Sequence, residues 1–199
     1  MERPRLHLPI VLVAFATACT GVVPGATGTD AGPSGTLIVA NMSDHTATLV
    51  DLDRGTVIAT LPTGVAPHEI AVTGDGRTAV ITNYGDRGAP GRTLTIVDIP
   101  SASVSETVDL SVYERPHGVA VLPGDTLVAV TAERQGEVVI VDLRSGEVID
   151  GIPTNGRASH MLAMDAGGRR IFVTNIVDGT LSEIDPIRGA LVRTIEVAP

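Results

Sequence analysis

Three histidines begin stretches of equal length and similar order, and this repetition constrains the fold more than any other feature of the chain. The stretches run from His68 to Asn83, from His117 to Ala132 and from His160 to Asn175, a spacing of 15 residues each time. Each one contains a short apolar run, a turn of glycine and aspartate residues, and a second apolar run. This order predicts two antiparallel strands joined by a tight turn in every copy.

The sequence around the histidine stretches repeats as well. The second apolar run occurs four times, at 37–41, 79–83, 128–132 and 171–175, so the period is 42 to 49 residues. Further runs rich in valine and isoleucine complete four short strands per period, as in a propeller blade. We therefore predict an all-β β-propeller of about four blades, with units at about 36–76, 77–125, 126–168 and 169–199.

The small residue three positions after each histidine is alanine: Ala71, Ala120 and Ala163. Innermost strands converge on the axis of a propeller, so we expect these three alanines to be buried there. Aromatic residues make up only 2% of the chain and there is no tryptophan, so the core must consist of valine, isoleucine, leucine and alanine.

Several short motifs resemble one known repeat family. Val80-Ile-Thr-Asn83 and Phe172-Val-Thr-Asn175, with Pro-His before the inner strand and Gly-Asp-Gly at the turn, resemble the YVTN-type β-propeller repeat. The resemblance covers 36–199 and implies a ring of roughly seven blades of the kind found in bacterial exported and surface proteins. Related propellers bind haem d1, serve as redox-enzyme subunits or hydrolyse lactones. Ala132 and Ser159 depart from the pattern, at the asparagine and proline positions.

The repeats do not complete a ring of that size. The first unit lacks a histidine strand, because glycine, proline and serine precede Thr36, and the last unit stops at Pro199 where the next such strand is expected. Three explanations stay open: the sequence is a fragment, two chains together close a ring, or four units close a small ring that lacks one strand. Open terminal blades would present unpaired strand edges, which favour self-association.

The first residues of the chain predict export. Arg3 and Arg5 precede an apolar run that is followed by Ala16-Thr-Ala-Cys19, the order of a secretory signal at 1–18. Cys19 directly after this segment resembles the lipidated cysteine of bacterial lipoproteins. We predict a lipid anchor at Cys19 and a flexible tether at 19–35; plain secretion and an uncleaved membrane anchor are the alternatives. The predicted location is periplasmic or at the cell surface.

Charge and cysteine content exclude other classes of protein. The formal net charge is −9 and no basic stripe is present, which argues against a nucleic-acid partner. Cys19 is the single cysteine, so the chain cannot form an internal disulfide.

The candidate site residues are the repeated histidines and two charged neighbours. His68, His117 and His160 each begin an innermost strand, so a propeller places them at one end of its channel, together with Glu69 and Arg115. Imidazoles can bind metal or haem, and we keep these three as candidate metal ligands of unknown metal. Recurrence in every unit favours a structural role instead, and we expect adjacent blades to hold the rings too far apart for metal bonds of about 2 Å.

Other polar repeats fit structural roles better. Aspartates stand alone after one strand of each unit, where their carboxylates can accept hydrogen bonds from the following turn; they are Asp51, Asp98, Asp142 and Asp185. Asn41, Asn83 and Asn175 are predicted strand-end residues. No sequence pattern for a nucleophilic triad, a phosphate loop or a Cys-x-x-Cys pair is present, so no catalytic residue is predicted.

These observations predict an exported, lipid-anchored propeller that binds a small ligand or a protein partner, without catalysis and without a cofactor. The alternative is an enzyme or a redox-associated propeller that uses the histidine cluster at the channel mouth to hold metal, haem or substrate.

Overall fold

The computed structural model of the chain describes residues 34–197. The predicted signal peptide, Cys19 and the tether up to residue 33 lie outside the described residues. Within 34–197 no helix has the length and apolar character needed to cross a membrane. The same residues form fifteen strands: β1 Thr36–Asn41, β2 Thr46–Asp51, β3 Thr56–Pro62, β4 Pro67–Val72, β5 Thr78–Gly85, β6 Pro90–Asp98, β7 Ser103–Asp109, β8 Pro116–Val121, β9 Leu127–Ala132, β10 Glu137–Asp142, β11 Glu147–Pro153, β12 Ser159–Met164, β13 Ile171–Asn175, β14 Thr180–Asp185 and β15 Ala190–Glu196.

The strands form four antiparallel sheets, and each sheet is one propeller blade. Blade 1 contains β1–β3, blade 2 contains β4–β7, blade 3 contains β8–β11 and blade 4 contains β12–β15, each in simple meander order. The inner strands β4, β8 and β12 contact one another in turn, so they lie side by side around one axis. The predicted all-β propeller with about four blades is confirmed, and within residues 34–197 blade 1 has three strands and no inner strand.

The repeat units predicted at 36–76, 77–125, 126–168 and 169–199 are offset from the blades by one strand. Each of the first three predicted units ends with a histidine strand, whereas β4 pairs with β5, β8 with β9 and β12 with β13. The cause is the tight turn between these strands, where Thr73 N–H donates to Thr78 O and Gly76 N–H donates to Thr73 O. A turn this short joins neighbours of one sheet, so the chain passes to the next blade before the histidine.

Apolar layers between successive blades hold the structure together. Leu49 of blade 1 packs with Ile81 of blade 2, and Leu94 of blade 2 packs with Val130 of blade 3. Ile140 of blade 3 packs against residues of blade 4 in the same way. Each fully buried side chain of this size contributes about 1.5–3 kcal/mol relative to an exposed one. The core is aliphatic, as predicted.

Repeated polar residues have the structural roles predicted for them. Asn83 Nδ2 donates to Thr93 Oγ1 and Thr95 Oγ1 at 2.9 and 3.0 Å, and thereby ties two strands together. Asn41 and Asn175 make the corresponding pairs of bonds in blades 1 and 4. The four aspartates accept backbone N–H bonds from the turns that follow them.

A threonine joins each inner strand to the next blade. Thr82 Oγ1 accepts a bond from Glu69 N–H in its own blade and donates to His117 O in blade 3, both at 3.0 Å. Thr131 does the same between blades 3 and 4, with bonds of 2.8 and 2.6 Å to Gly118 N and His160 O. Both threonines are fully buried. We call these two bridges the threonine latches.

The expected burial of Ala71, Ala120 and Ala163 is wrong. Ala71 and Ala120 are half-buried and Ala163 is exposed. The inner strands contact one another in turn, but these contacts do not enclose the three alanine side chains. A small residue at this position is therefore not forced by close packing.

Both terminal blades have an uncovered face. Leu37 and Val39 of blade 1 are 47% and 39% exposed, although Ala79 and Ile81, which occupy the same strand positions in blade 2, are fully buried. At the other end, Glu183 of blade 4 stands where blade 2 has Ile96, and it binds Arg170 and Arg193 at 3.2 and 2.6 Å. The predicted open terminal blades are present within residues 34–197.

Candidate metal centre

The imidazole rings of the three repeated histidines form one stack at one end of the inner strands. The ring centroids of His68 and His117 are 4.1 Å apart, and those of His117 and His160 are 3.7 Å apart. The expectation that adjacent blades hold these rings too far apart for one metal ion is wrong. Inner strands converge toward the axis, so side chains at their starts come into contact although the blades splay outward.

A backbone irregularity aims each ring at the axis. The pairing of β4 with β5 shifts register between Pro67 and Ile70, and the same shift occurs at the histidines of β8 and β12. Such a bulge bends a strand and redirects a side chain. The threonine latches fix this segment, because Thr82 and Thr131 bond to the backbone next to one histidine and to the carbonyl of the next.

His117 occupies the middle of the stack and is the least satisfied residue of the group. It is only 3% exposed, and its Nδ1 atom has no hydrogen-bond partner among the described residues. Burial, then the neighbouring His160 and His68, lower the pKa of His117 from 6.5 to about 4, against the opposing influence of Glu133. His117 is therefore neutral near pH 7 and keeps a lone pair available inside the protein.

Two carboxylates flank the stack. Glu133 Oε2 accepts a hydrogen bond of 2.8 Å from His160 Nδ1, and Glu133 Oε1 accepts one of 2.8 Å from the hydroxyl of Tyr84. Burial, followed by the bond to Glu133, raises the pKa of Tyr84. On the other side, Glu69 Oε1 lies 3.4 Å from His68 Nδ1. The cluster thus contains two carboxylates and three imidazoles.

Two members of the cluster, Tyr84 and Glu133, were missed at the sequence level. They occupy the same position in successive blades, directly after the strand-end residue, where blade 4 has Ile176. Because this position has a different residue in each blade, its tyrosine and glutamate are not needed to form the repeat. They indicate a role specific to their own blades. That signal was present in the sequence, but the assignment of Glu133 needed the distance to His160.

Arg115 lies at the edge of the cluster, as the sequence predicted for a residue of the channel mouth. Its guanidinium carbon is 5.0 Å from the centre of the Tyr84 ring, and its Nη2 donates to Asp86 O at 3.2 Å. The Tyr84 ring also contacts His117 edge to face, with centroids 5.4 Å apart. The structure therefore brings together four of the five residues predicted for the site, His68, Glu69, His117 and His160, while Arg115 reaches the cluster only through the Tyr84 ring.

Two overlapping sets of side chains have the composition and spacing of a metal site. One is His117, Glu133 and His160; the other is His68, Glu69 and His117. In each set one nitrogen or oxygen atom per residue lies within 4.8 Å of the others. The first set is more deeply buried, and its carboxylate is oriented by Tyr84, the kind of outer contact that accompanies metal ligands in proteins.

Sequence comparisons do not assign the chain to a family. No protein-family model matches the chain. The chain is 25% identical over 163 residues to YwhL of Bacillus subtilis (strain 168), an uncharacterized protein, and the match covers 82% of this chain and 33% of the relative.

Two solved structures are similar in shape. Hydrazine synthase of Kuenenia stuttgartiensis superposes with a TM-score of 0.70 at 23% identity, over 87% of this chain and 52% of that one. A functionally unknown protein from Desulfotomaculum acetoxidans DSM 771 gives 0.69 at 15% identity, over 81% and 52%. The chain thus spans about half the length of each of these two structures, and the likeness concerns the fold alone.

Proposed function

We propose that this protein is an exported, lipid-anchored β-propeller that binds one divalent transition-metal ion through His117, His160 and Glu133. The observation that carries the proposal is the buried, unpartnered Nδ1 of His117. A buried polar atom without a partner costs about 1–3 kcal/mol, and a metal ion at this place would remove that cost.

The charge of the cluster favours a cation. Glu69 and Glu133 supply two negative charges beside three imidazoles, and the pKa of about 4 for His117 keeps this ring neutral at physiological pH. Metal ligands must be unprotonated. The hydrogen between His160 Nδ1 and Glu133 Oε2 is the proton that a metal would displace if it binds that nitrogen.

The donor set indicates the class of metal. Two imidazoles and one carboxylate suit Zn²⁺, Cu²⁺ or Fe²⁺, whereas Ca²⁺ and Mg²⁺ prefer sets made entirely of oxygen atoms. Three protein ligands leave at least one position for water or a ligand. The proposed role is binding of the metal and its presentation to a ligand at that open position.

Export, the lipid anchor and membership of the YVTN-type repeat family belong to the same proposal. They are supported by the Arg-flanked apolar run before Cys19, and by Val80-Ile-Thr-Asn83 and Phe172-Val-Thr-Asn175 with their Pro-His and Gly-Asp-Gly partners. A lipid-anchored propeller on a tether would hold its metal outside the cytoplasm.

Titration calorimetry with Zn²⁺ and Cu²⁺ on protein stripped with a chelator tests the metal site. We expect one ion per chain for the wild type, and a loss of affinity of at least about tenfold in Glu133→Gln, as found for removal of a ligand or its support. Glu69→Gln is the matched control, because it removes the carboxylate of the other set and should leave affinity within about twofold.

Two outcomes would contradict this assignment. Absence of saturable binding of both Zn²⁺ and Cu²⁺ would exclude a metal site at this place. Loss of binding in Glu69→Gln together with unchanged binding in Glu133→Gln would move the ion to the set of His68, Glu69 and His117.

A further inference from the structure

A cavity next to the metal cluster has features of a second binding site. It has a volume of about 360 Å³ and borders the Tyr84 ring. His45, Ala66, Arg87 and Arg115 are among the other residues that line it. We call it the Tyr84 cavity. Its size is at the lower end of the range for small-molecule sites, so it suits a compact ligand.

Arg115 is an exception within the repeat. The residue before the first position of each inner strand has a left-handed backbone, with φ of 52° at Ala66, 56° at Arg115 and 55° at Ala158. Blades 2 and 4 use alanine at this position, so the turn itself requires no long side chain. The arginine of blade 3 therefore has a role other than forming the turn.

The cavity carries an excess of positive charge. Arg87 and Arg115 line it, and neither forms an ion pair with a carboxylate within residues 34–197. His45 Nδ1 accepts a bond of 3.0 Å from Ala66 N–H, which leaves its Nε2 to donate. One lining carboxylate, Asp86, is already engaged by the N–H groups of Gly88 and Ala89 at 2.7 and 2.9 Å.

The arginine is also held in place for binding. Its guanidinium lies 5.0 Å from the centre of the Tyr84 ring and donates one hydrogen bond to Asp86 O, so most of its five N–H groups have no partner among residues 34–197. A planar guanidinium fixed in this way binds a carboxylate through two parallel hydrogen bonds. The apolar part of the lining, Met42, Ala66 and the Tyr84 ring, lies beside it.

We propose that the Tyr84 cavity binds a small organic carboxylate, with the carboxylate on Arg115 and the apolar part of the ligand against Met42, Ala66 and Tyr84. The site is distinct from the metal centre, because the Tyr84 ring stands between this cavity and the imidazoles of His68 and His117. Neither proposal depends on the other.

The test uses benzoate and its neutral analogue benzamide as probes in an NMR titration of chelator-treated protein, followed at the backbone amide of Gly85 and the Nε–H of Arg115. We expect saturable shifts with benzoate, and at least about tenfold weaker binding of benzamide, since one charge-assisted pair is lost. Arg115→Ala installs the residue of blades 2 and 4 and should weaken benzoate binding by a similar factor. Arg134→Ala, an exposed arginine paired with Glu114, is the control and should bind as the wild type does.

Equal affinity for benzoate and benzamide, or unchanged benzoate binding in Arg115→Ala, would overturn the proposal. Inorganic phosphate that binds more tightly than benzoate would overturn the carboxylate assignment. Benzoate binding that requires added Zn²⁺ would show the anion on the metal instead of in the Tyr84 cavity. If no metal binds but benzoate still binds, the proposed metal-binding function is wrong and the carboxylate site in the Tyr84 cavity is supported.

Discussion

At the scale of single residues, the difference between repeated and unrepeated side chains separates structure from chemistry. Thr82 and Thr131 recur and hold blades together, whereas Glu133 and Arg115 stand at positions where other blades have different residues. His117 belongs to both groups: its carbonyl accepts a latch bond, while its ring lies between two other imidazoles and makes no bond through Nδ1.

The first prediction concerns the pH dependence of stability in metal-free protein. The folded pKa of His117 is about 4 and the unfolded value is 6.5, so the unfolded state binds the proton more readily. Above pH 6.5 His117 is neutral in both states, and the free energy of unfolding has its full value. As the pH falls toward 4, the free energy of unfolding decreases by on the order of 3 kcal/mol because of this residue. Glu133, which favours the protonated ring, acts against this loss, while His68 and His160 add to it.

Urea unfolding at several pH values measures this effect. The difference in unfolding free energy between wild type and His117→Gln should decrease between pH 6.5 and 4, because Gln does not titrate. The carboxylates titrate in both proteins alike, so their contributions to the unfolding free energy cancel in the difference. A difference that does not change with pH would mean that His117 is not held neutral by its surroundings.

At the scale of elements, the threonine latches connect the inner strand of one blade to the histidine carbonyl of the next. The bulge at each histidine would leave backbone groups unpaired. The latch hydroxyl accepts a bond from one N–H of its own blade and donates to one carbonyl of the next blade. The arrangement explains why the Val-Thr or Ile-Thr pair and the histidine recur together in the sequence.

The second prediction uses the latch of blade 3. Thr131→Val removes the bonds to Gly118 N and His160 O in a fully buried place and should destabilise the protein by about 2–4 kcal/mol. Thr174→Val is the matched control, because Thr174 occupies the same position in blade 4, is exposed, and donates within its own blade. Thermal or urea unfolding of both variants measures the difference, and similar losses in the two would refute the latch.

Elements and turns were predictable from the sequence because they depend on local patterns. The spacing of 15 residues from His68 to Asn83 marked one hairpin, and the aspartates marked the turns. The contact between His117 and His160 was not predictable, since it depends on how steeply adjacent inner strands converge. The same holds for Ala163, whose exposure depends on what lies across the axis from it.

At the scale of the whole molecule, the two terminal faces differ in chemistry. Blade 1 presents the exposed aliphatic side chains of Leu37 and Val39, while on blade 4 the side chains of Arg170 and Arg193 pair with the carboxylate of Glu183, which is only 8% exposed. Charged residues on a terminal sheet oppose uncontrolled pairing with other sheets. The terminal faces have different neighbours if the sequence is a fragment, if two chains close a ring, or if four units close a small ring. Self-association through these faces stays a prediction.

The third prediction concerns export. Cys19→Ala should move the protein from the membrane fraction to the soluble exported fraction, because the variant cannot receive a lipid at that residue. Fractionation and labelling with a fatty acid measure this directly. A wild-type protein that never incorporates labelled fatty acid would contradict the lipid anchor and favour plain secretion.

The most direct measurement of the central claim is the melting temperature of stripped protein with and without Zn²⁺ or Cu²⁺. At free metal about 100 times the dissociation constant, binding to the native state adds about 2.7 kcal/mol, which corresponds to a rise of roughly 5–10 °C for a domain of this size. The account predicts this rise for the wild type and for Glu69→Gln, and its loss in His117→Gln. A wild type whose melting temperature does not respond to either metal, or a His117→Gln variant that responds as the wild type does, would contradict it.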